Sequence, residues 1–306
     1  MSVRIAFLGT AEFAVAVLRR LAAAEMTPVV VVTPPDRRRG RGRRIQPPPV
    51  AEAARELGVE PLQTESVNRP EVVDAVRSTS PVIAVVCAFG QLIRAPLLGE
   101  LEMLNVHPSL LPRWRGAAPI ERSILAGDAE TGVTIMRVTE GLDSGPISLQ
   151  RAVAIEPGED CGALSGRLAE LGGELVIEAL RLRADGKLSY ADQDDALATY
   201  ADKIRPGERR LDPRRPAVEL ARAVRALNPH IGTYLELAEG ARLGVRRADA
   251  GADGLGPGEL AGDGGELRLG CAGGVLRLVE VQPAGRSAMP AAAYLRGHPI
   301  PALAGP

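Results

Sequence analysis

The sequence predicts an α/β protein in which a doubly wound, mostly parallel sheet is followed by a small all-β barrel domain. Early in the chain, short apolar runs typical of buried strands alternate with segments of helical periodicity, as in parallel sheets. The last third contains short apolar segments separated by Gly-rich turns, a pattern typical of small barrels. At 306 residues, the chain is longer than a usual single domain. We therefore expect domains at 1–186 and 204–306, joined by a linker at 187–203.

Hydrophobic periodicity locates the elements of the first domain. Its apolar runs predict strands over residues 3–8, 28–33, 59–62, 82–87, 133–138 and 147–155. Helical spacing predicts helices over residues 11–24, 48–57, 70–77 and 162–182. In the last helix apolar residues recur at helical spacing from Leu164 to Ala179, and Asp160 precedes it as the expected N-cap. This helix is expected to close the first domain.

The second domain is expected to begin with a short helix at 216–227. Apolar segments then predict strands over residues 233–237, 242–248, 266–270 and 274–281. Between the two domains, the stretch 186–201 is polar and carries Asp192, Asp194 and Asp195 without sustained periodicity. These features favour a linker.

The most informative polar residues are an amide, an imidazole and a carboxylate. Asn105 and His107 lie two positions apart after the apolar lead-in Leu101–Leu104, so at the end of a strand both side chains leave one face. Asp143 follows Pro112 by 31 residues, in a Gly-Leu-Asp-Ser-Gly-Pro sequence. An amide donor beside an imidazole can stabilise an oxyanion, and a carboxylate can orient the imidazole or exchange a proton with it. These three functional groups are suited to acyl transfer without a covalent enzyme intermediate.

Several cofactor and compartment classes are disfavoured. After the first predicted strand, Gly9 stands alone where a dinucleotide fingerprint requires three glycines, so no nicotinamide is expected despite the Rossmann-like layout. Cys87, Cys161 and Cys271 show neither metal-ligand spacing nor a disulfide framework, so we expect no structural metal and a reducing cytoplasm. The sequence shows no signal peptide and no apolar run long enough for a membrane.

The net charge of −1 conceals two basic segments. Residues 36–44 contain six Arg and one Asp, and residues 203–225 contain one Lys and seven Arg against three acidic residues. Each segment therefore carries +5. Folding explains poorly why one loop beside Pro47 should hold so much positive charge, whereas neutralisation of nucleic-acid phosphates explains it directly.

Two motifs resemble those of the 10-formyltetrahydrofolate-dependent formyltransferases. They are Asn-x-His-Pro-Ser-Leu-Leu-Pro at 105–112 and Gly-Leu-Asp-x-Gly-Pro at 141–146. The fuller string Leu-Leu-Pro-Arg-Trp-Arg-Gly-Ala-Ala-Pro-Ile at 110–120 resembles one branch, the methionyl-tRNA formyltransferases. The similarity extends from Phe-Leu-Gly-Thr at 7–10 to Val-Arg-Ala-Leu-Asn-Pro at 224–229, and so covers most of the chain.

The resemblance implies roles for the site residues. Asn105 and His107 would stabilise the oxyanion, and Asp143 would orient His107 and assist proton transfer. The co-substrate would be 10-formyltetrahydrofolate, and the second domain would resemble an OB fold. The residues expected to contact the folate are Ser109, Leu110, Leu111, Pro112, Phe89 and Gly90.

The resemblance also implies the acceptor, the methionine amino group of initiator tRNA. In this branch an inserted basic loop at the first basic segment engages the acceptor stem, and Arg41 has the matching Gly-Arg-Gly context. The residues expected to contact tRNA are Arg37, Arg38, Arg39, Arg41, Arg43, Arg44, Lys203 and Arg205. A monomeric protein is expected.

Alternatives remain open. Formyl transfer to a small amine, such as glycinamide ribonucleotide or an amino sugar nucleotide, would use the same three residues. A formyltetrahydrofolate hydrolase or a non-catalytic RNA-binding protein would also be compatible with parts of the sequence. The basic segments disfavour both transfer to a small amine and hydrolysis. The intact triad of Asn105, His107 and Asp143 disfavours a non-catalytic protein.

Overall fold

Strands and helices alternate along the computed structural model, which describes residues 3–39, 44–252 and 254–304. Its strands are β1 (Ile5–Gly9), β2 (Val30–Thr33), β3 (Arg37–Arg39), β4 (Arg44–Gln46), β5 (Leu62–Gln63), β6 (Ile83–Cys87), β7 (Met103–His107), β8 (Arg115–Gly116), β9 (Glu130–Arg137), β10 (Ile147–Ala154), β11 (Tyr200–Ala201), β12 (Thr233–Glu236), β13 (Arg242–Gly251), β14 (Leu260–Asp263), β15 (Glu266–Gly270), β16 (Val275–Pro283) and β17 (Met289–Pro290). Its helices are α1 (Glu12–Ala23), α2 (Pro49–Glu56), α3 (Pro70–Ser78), α4 (Leu97–Glu100), α5 (Pro119–Ala126), α6 (Cys161–Ala184), α7 (Ala217–Leu227) and α8 (Ala291–Gly297).

The chain forms two compact units. The first comprises residues 1–119, 130–154 and 165–201, and the second comprises 120–129, 155–164 and 202–306. Residues 187–201, which we expected to form a linker, therefore belong to the first unit. Within that unit β11 pairs in parallel with β8, so this polar stretch is held by main-chain hydrogen bonds.

A seven-stranded sheet forms the first unit, in the order β10-β9-β7-β6-β1-β2-β5. The five strands from β7 to β5 are parallel, and β9 and β10 extend the β7 edge antiparallel. From β1 the chain proceeds outward to β2 and β5, then returns to place β6 on the other side of β1. The predicted mostly parallel α/β sheet is confirmed. Its strand order reverses between β1 and β6, a position where α/β folds commonly bind ligands beyond the carboxyl ends of the strands.

Burial explains why the central strands were recognisable as apolar runs. Every residue of β1, β2 and β6 is buried, because both faces of a parallel sheet are covered.

The expected N-cap of α6 is confirmed, since Oδ1 of Asp160 accepts a hydrogen bond from the amide of Ala163 at 2.9 Å. No helix in the described ranges is long and apolar enough to span a membrane.

The second unit contains an antiparallel sheet in the order β12-β13-β16-β15-β14, with β17 paired to β16. Helix α7 contributes Leu220 and Val224 to a core that also contains Leu235, Leu267 and Leu276 from the sheet. The four predicted strands and the helix at 216–227 are confirmed. Sequence patterns missed β14, β17 and α8, because short elements rich in Gly, Pro and Ala carry little periodicity.

Candidate active site

Asn105 and His107 lie at the carboxyl end of β7, as the sequence predicted. Alternation along the strand places both side chains on one face. His107 is only 4% exposed, whereas Asn105 is half-buried. The strand ends there because Pro108 has no amide hydrogen with which to continue the ladder. The pair therefore stands at the edge of the sheet where ligands of α/β proteins bind.

Asp143 reaches this pair from the loop between β9 and β10. Its carboxylate accepts a hydrogen bond from the amide of Gly116 at 2.9 Å through Oδ2, and one from Nδ2 of Asn105 at 3.4 Å through Oδ1. Oδ2 also lies 3.7 Å from Nδ1 of His107. The main chain of Asp143 adopts a left-handed conformation with φ of 46°, which is uncommon for a residue with a side chain. The structure thus brings the three sequence-predicted residues together.

The other ring nitrogen of His107 is engaged by the main chain. Nε2 lies 2.9 Å from the carbonyl oxygen of Trp114. A carbonyl can only accept a hydrogen bond, so Nε2 carries a hydrogen and donates it. Nδ1 is therefore the ring nitrogen that faces Asp143 and is left for chemistry.

The turn after β7 is hydrogen-bonded and largely buried. Ser109 is fully buried and donates from Oγ to the carbonyl of Arg113 at 2.7 Å, so its side chain presents no surface to a ligand. Leu111 is also buried, while Leu110 and Pro112 are partly exposed. Gln150 donates from Nε2 to the carbonyl of Leu111 at 2.9 Å, which fixes the turn against β10.

Phe89 and Gly90 lie in the loop after β6, the strand next to β7. The Phe89 side chain is buried in the core, and its carbonyl accepts a hydrogen bond from Oγ1 of Thr10 at 2.8 Å. Gly90 is exposed, with a φ of 74° that favours glycine. The loops after β1, β6 and β7 therefore all follow the carboxyl ends of adjacent strands.

Sequence reasoning missed two residues behind Asp143. The side-chain amide of Gln193 donates at 2.8 Å to the carbonyl oxygens of both Asp143 and Gly145. Its Oε1 accepts hydrogen bonds from Nε and Nη2 of Arg115, at 3.0 and 2.9 Å. Gln193 lies among the acidic residues of the stretch interpreted as a linker. Its own flanking sequence gave no signal, because the bonds join positions about 50 residues apart.

Comparison with known proteins identifies the family. Residues 3–180 match the formyl transferase domain, and residues 203–299 match the formyl transferase C-terminal domain. The methionyl-tRNA formyltransferase of Parvibaculum lavamentivorans is 41% identical over 97% of both chains. That of Methylococcus capsulatus is 43% identical over 99% of this chain and 98% of its own. This chain belongs to the methionyl-tRNA formyltransferase family.

Two solved structures share the fold of this chain. The sugar 3N-formyltransferase WlaRD, solved with dTDP and 5-N-formyl-THF, superposes with a TM-score of 0.64 at 15% identity, over 94% of this chain and 100% of its own. HypX from Aquifex aeolicus, solved with tetrahydrofolic acid, gives 0.64 at 17% identity, over 96% of this chain and 47% of its own. At these identities the likeness concerns the fold alone.

The first basic segment forms a hairpin in this family member. β3 and β4 pair only with each other among the described strands, with Arg37 opposite Gln46 and Arg38 opposite Ile45. Arg37, Arg38 and Arg44 are exposed, and no carboxylate in the described ranges pairs with them. The hairpin was not predicted, since an arginine run shows no apolar alternation. Arg41 and Arg43 lie outside the described residues, and of Arg39 only the main chain is described.

Three arginines of the second basic segment are paired with carboxylates of the second unit. Arg214 pairs with Asp212 at 2.7 Å, Arg215 with Glu219 at 2.9 Å, and Arg210 with Glu236 at 3.2 Å. Each of these arginines and its carboxylate form a pair without net charge. Such an arginine therefore attracts a phosphate less strongly than an unpaired arginine does. Lys203 and Arg205, the two residues expected to contact tRNA, are exposed.

The three cysteines are buried and free. Burial raises the pKa of the Cys161 thiol to about 12 and that of Cys87 further still. Thiols with such raised pKa values are poor nucleophiles and poor metal ligands at neutral pH. Within the described ranges, no three His, Cys, Asp or Glu residues are placed to share a metal ion.

Gly145 is required by the loop that carries Asp143. A Cβ at this position would overlap the carbonyl oxygen of Arg137 in β9. We expect Gly145→Ala to lower the free energy of unfolding by about 1–3 kcal/mol, because main-chain atoms must shift. Urea denaturation measures this loss. Gly166→Ala in α6, where a Cβ meets open space, is the matched control and should not destabilise the fold. Equal stability of the two variants would contradict the explanation.

Proposed function

We propose that this protein transfers the formyl group of 10-formyltetrahydrofolate to the α-amino group of methionine on initiator tRNA. The observation that carries the proposal is 41–43% identity to methionyl-tRNA formyltransferases over nearly the whole chain. It is supported by the contacts among Asn105, His107 and Asp143, which fit acyl transfer. Folate acts as a co-substrate, since it gives up its formyl group in each turnover.

In the proposed reaction the neutral methionine amine attacks the formyl carbon. A new C–N bond forms, and the bond from that carbon to N10 of the folate breaks. The amine loses a proton and N10 gains one, so the products are N-formylmethionyl-tRNA and tetrahydrofolate. The formyl oxygen carries negative charge in the transition state, and the site must supply donors to it.

Asn105 and His107 are the proposed donors to this oxyanion. Asn105 contributes Nδ2, which is held by Asp143 at 3.4 Å. His107 can donate only through Nδ1, since Nε2 is bonded to Trp114, and so it donates when the ring is protonated. Asp143 then compensates the positive ring and assists transfer of the amine proton, directly or through water.

The proposed folate contacts lie at the same sheet edge. Gly90 and the partly exposed Leu110 and Pro112 offer surface to a ligand. Phe89, Ser109 and Leu111 are buried, so they contribute to the pocket by shaping its wall. For the pterin ring this arrangement provides main-chain and apolar contacts rather than charges.

The proposed tRNA contacts are the arginines of the first basic segment, namely Arg37, Arg38, Arg39, Arg41, Arg43 and Arg44, together with Lys203 and Arg205 of the second basic segment. Exposed guanidinium groups without carboxylate partners favour phosphate contact. A small amine acceptor would require no such charge.

The decisive assay supplies the full-length protein with 10-formyltetrahydrofolate carrying a labelled formyl group. Methionyl initiator tRNA, uncharged initiator tRNA, glycinamide ribonucleotide and an amino sugar nucleotide are offered in separate reactions. We expect label to appear on the methionine amino group of the charged tRNA alone. Label on a small amine but not on tRNA would replace the proposed acceptor. Label on neither, with free formate released, would indicate a hydrolase.

The hairpin arginines provide a test of RNA binding. We expect the combined substitution of Arg37, Arg38 and Arg44 by Gln to lower kcat/KM for charged tRNA and leave the folate KM unchanged. The logarithmic dependence of kcat/KM on salt should become shallower by roughly one unit for each phosphate that is no longer neutralised. Arg19→Gln, which removes an exposed arginine of α1 that pairs with Glu56 of α2, is the control. A salt dependence identical to that of the unmodified protein would exclude the hairpin from RNA binding.

We further infer a monomeric protein of the reducing cytoplasm. The three free and buried cysteines fit a reducing compartment, since none is placed to form a disulfide. Light scattering behind a size-exclusion column should give the mass of one 32.2 kDa chain. A mass of twice this value would contradict the inference.

A further inference from the structure

Gln193 binds the main chain of the Asp143 loop from behind. Its Nε2 donates at 2.8 Å to the carbonyl of Asp143 and at 2.8 Å to that of Gly145. The two hydrogens of the amide thereby join the carbonyls on either side of Ser144. The loop is thus held at the carboxylate by Gly116 and Asn105, and at the main chain by Gln193.

The orientation of the Gln193 amide is determined by Arg115. A guanidinium has donors and no acceptor, so it must face Oε1, and Nε2 must then face the loop. Arg115 itself is only 3% exposed, and its Nη2 also donates a hydrogen bond to Oδ1 of Asp195 at 2.7 Å. Burial of a charged side chain costs free energy unless its donors have hydrogen-bond partners. The partners of Arg115 therefore favour this one arrangement of the two side chains.

The bonds hold Asp143 in a main-chain conformation that is uncommon for a residue with a side chain. Its φ of 46° places the residue in the left-handed region, which is unfavourable for a residue with a side chain. Rotation to an ordinary conformation would turn the carbonyl away from Gln193 and swing the carboxylate away from His107 and Asn105. Holding the main chain therefore also holds the carboxylate 3.7 Å from Nδ1 of His107.

We propose that Gln193, oriented by Arg115, is a positioning residue that keeps Asp143 in the conformation required for formyl transfer. The inference rests on the proposed function and adds to it a residue from a polar stretch outside both active-site motifs. Gln193 acts on the reaction through Asp143 and touches neither substrate.

Two substitutions separate hydrogen-bond donation from size. Gln193→Glu keeps the shape and still accepts from Arg115, but sets a carboxylate oxygen against two carbonyls. Gln193→Met keeps the length and removes both polar functions. We expect each to lower kcat by about 10- to 100-fold, since small displacements of a catalytic group cost this much, while KM for charged tRNA changes less than about twofold. Each kcat is calculated per folded molecule, with the folded fraction measured by circular dichroism and thermal melting.

The control is Asp194→Ala, which removes the neighbouring hydrogen bond from the amide of Ala196 to Oδ1 of Asp194 at 3.0 Å. It loosens the same segment but leaves the Asp143 loop untouched, and its kcat should stay near that of the unmodified protein. If Asp194→Ala lowered kcat as much as Gln193→Glu, the effect would be a general one of segment stability and the proposal would fail.

The discriminating measurement is a double-mutant cycle with Asp143→Ala. A residue that acts through Asp143 has nothing left to position once that carboxylate is gone, so Gln193→Met should cost little in the Asp143→Ala background. Losses that multiply would overturn the proposal, as would normal kcat in both single variants. The unmodified protein is assayed in parallel. If it failed to formylate charged tRNA, the proposed function would be at fault rather than the role of Gln193.

Discussion

Asp143→Asn should lower kcat for formylation by roughly a thousandfold, within the usual range for loss of a group active in acid–base catalysis. The substitution keeps the shape of the side chain and one oxygen able to accept from the amide of Gly116. It removes the negative charge that lies 3.7 Å from Nδ1 of His107, and with it the group proposed to accept a proton. Both losses act on the transition state, so kcat and kcat/KM should fall together.

Single-turnover kinetics with saturating folate and charged tRNA measure the effect on the chemical step. Filter binding of charged tRNA is the control, and its Kd should be unchanged because the substitution alters no residue proposed to contact RNA. Glu140→Gln, in the same loop, is a matched removal of an exposed carboxylate and should leave turnover unaffected. Near-normal turnover by Asp143→Asn would eliminate its acid–base role.

The second large effect is expected from Asn105→Ala. Loss of one preorganised donor to an oxyanion typically costs about 100- to 1000-fold in kcat, and Asn105 is one of two such donors in the proposed site. Asn105→Asp should be at least as harmful, since it replaces the donor with a negative charge close to Asp143 and to the developing oxyanion. Asn105 is half-buried at a strand end, so neither change should prevent folding.

Comparison of kcat with substrate affinity tests this assignment. An interaction made only in the transition state lowers kcat and leaves the Kd of both substrates unchanged. A folate analogue measured by calorimetry gives the first Kd, and filter binding gives the second. If Asn105→Ala instead weakened folate binding while kcat per bound complex stayed normal, Asn105 would be a binding residue.

The fold class could be predicted because its determinants are local. The buried strands β1, β2 and β6 are continuous apolar runs, and Asp160 is recognisable as an N-cap from its position before α6. Short elements escaped prediction. The pairs β3–β4 and β8–β11 have two or three residues a strand, so their existence depends on the partner strand rather than on their own pattern.

The residues of the candidate active site also differ in how far the sequence predicts them. A strand period of two places Asn105 and His107 on one face, so the sequence by itself determined that pair and its family motif. Only the tertiary structure decided which nitrogen of His107 is free, since this depends on the carbonyl of Trp114. The same is true of Gln193, whose polar surroundings indicated a linker although its amide binds the Asp143 loop. Periodicity records burial along one element, whereas a hydrogen bond between distant residues exists only once packing has brought them together.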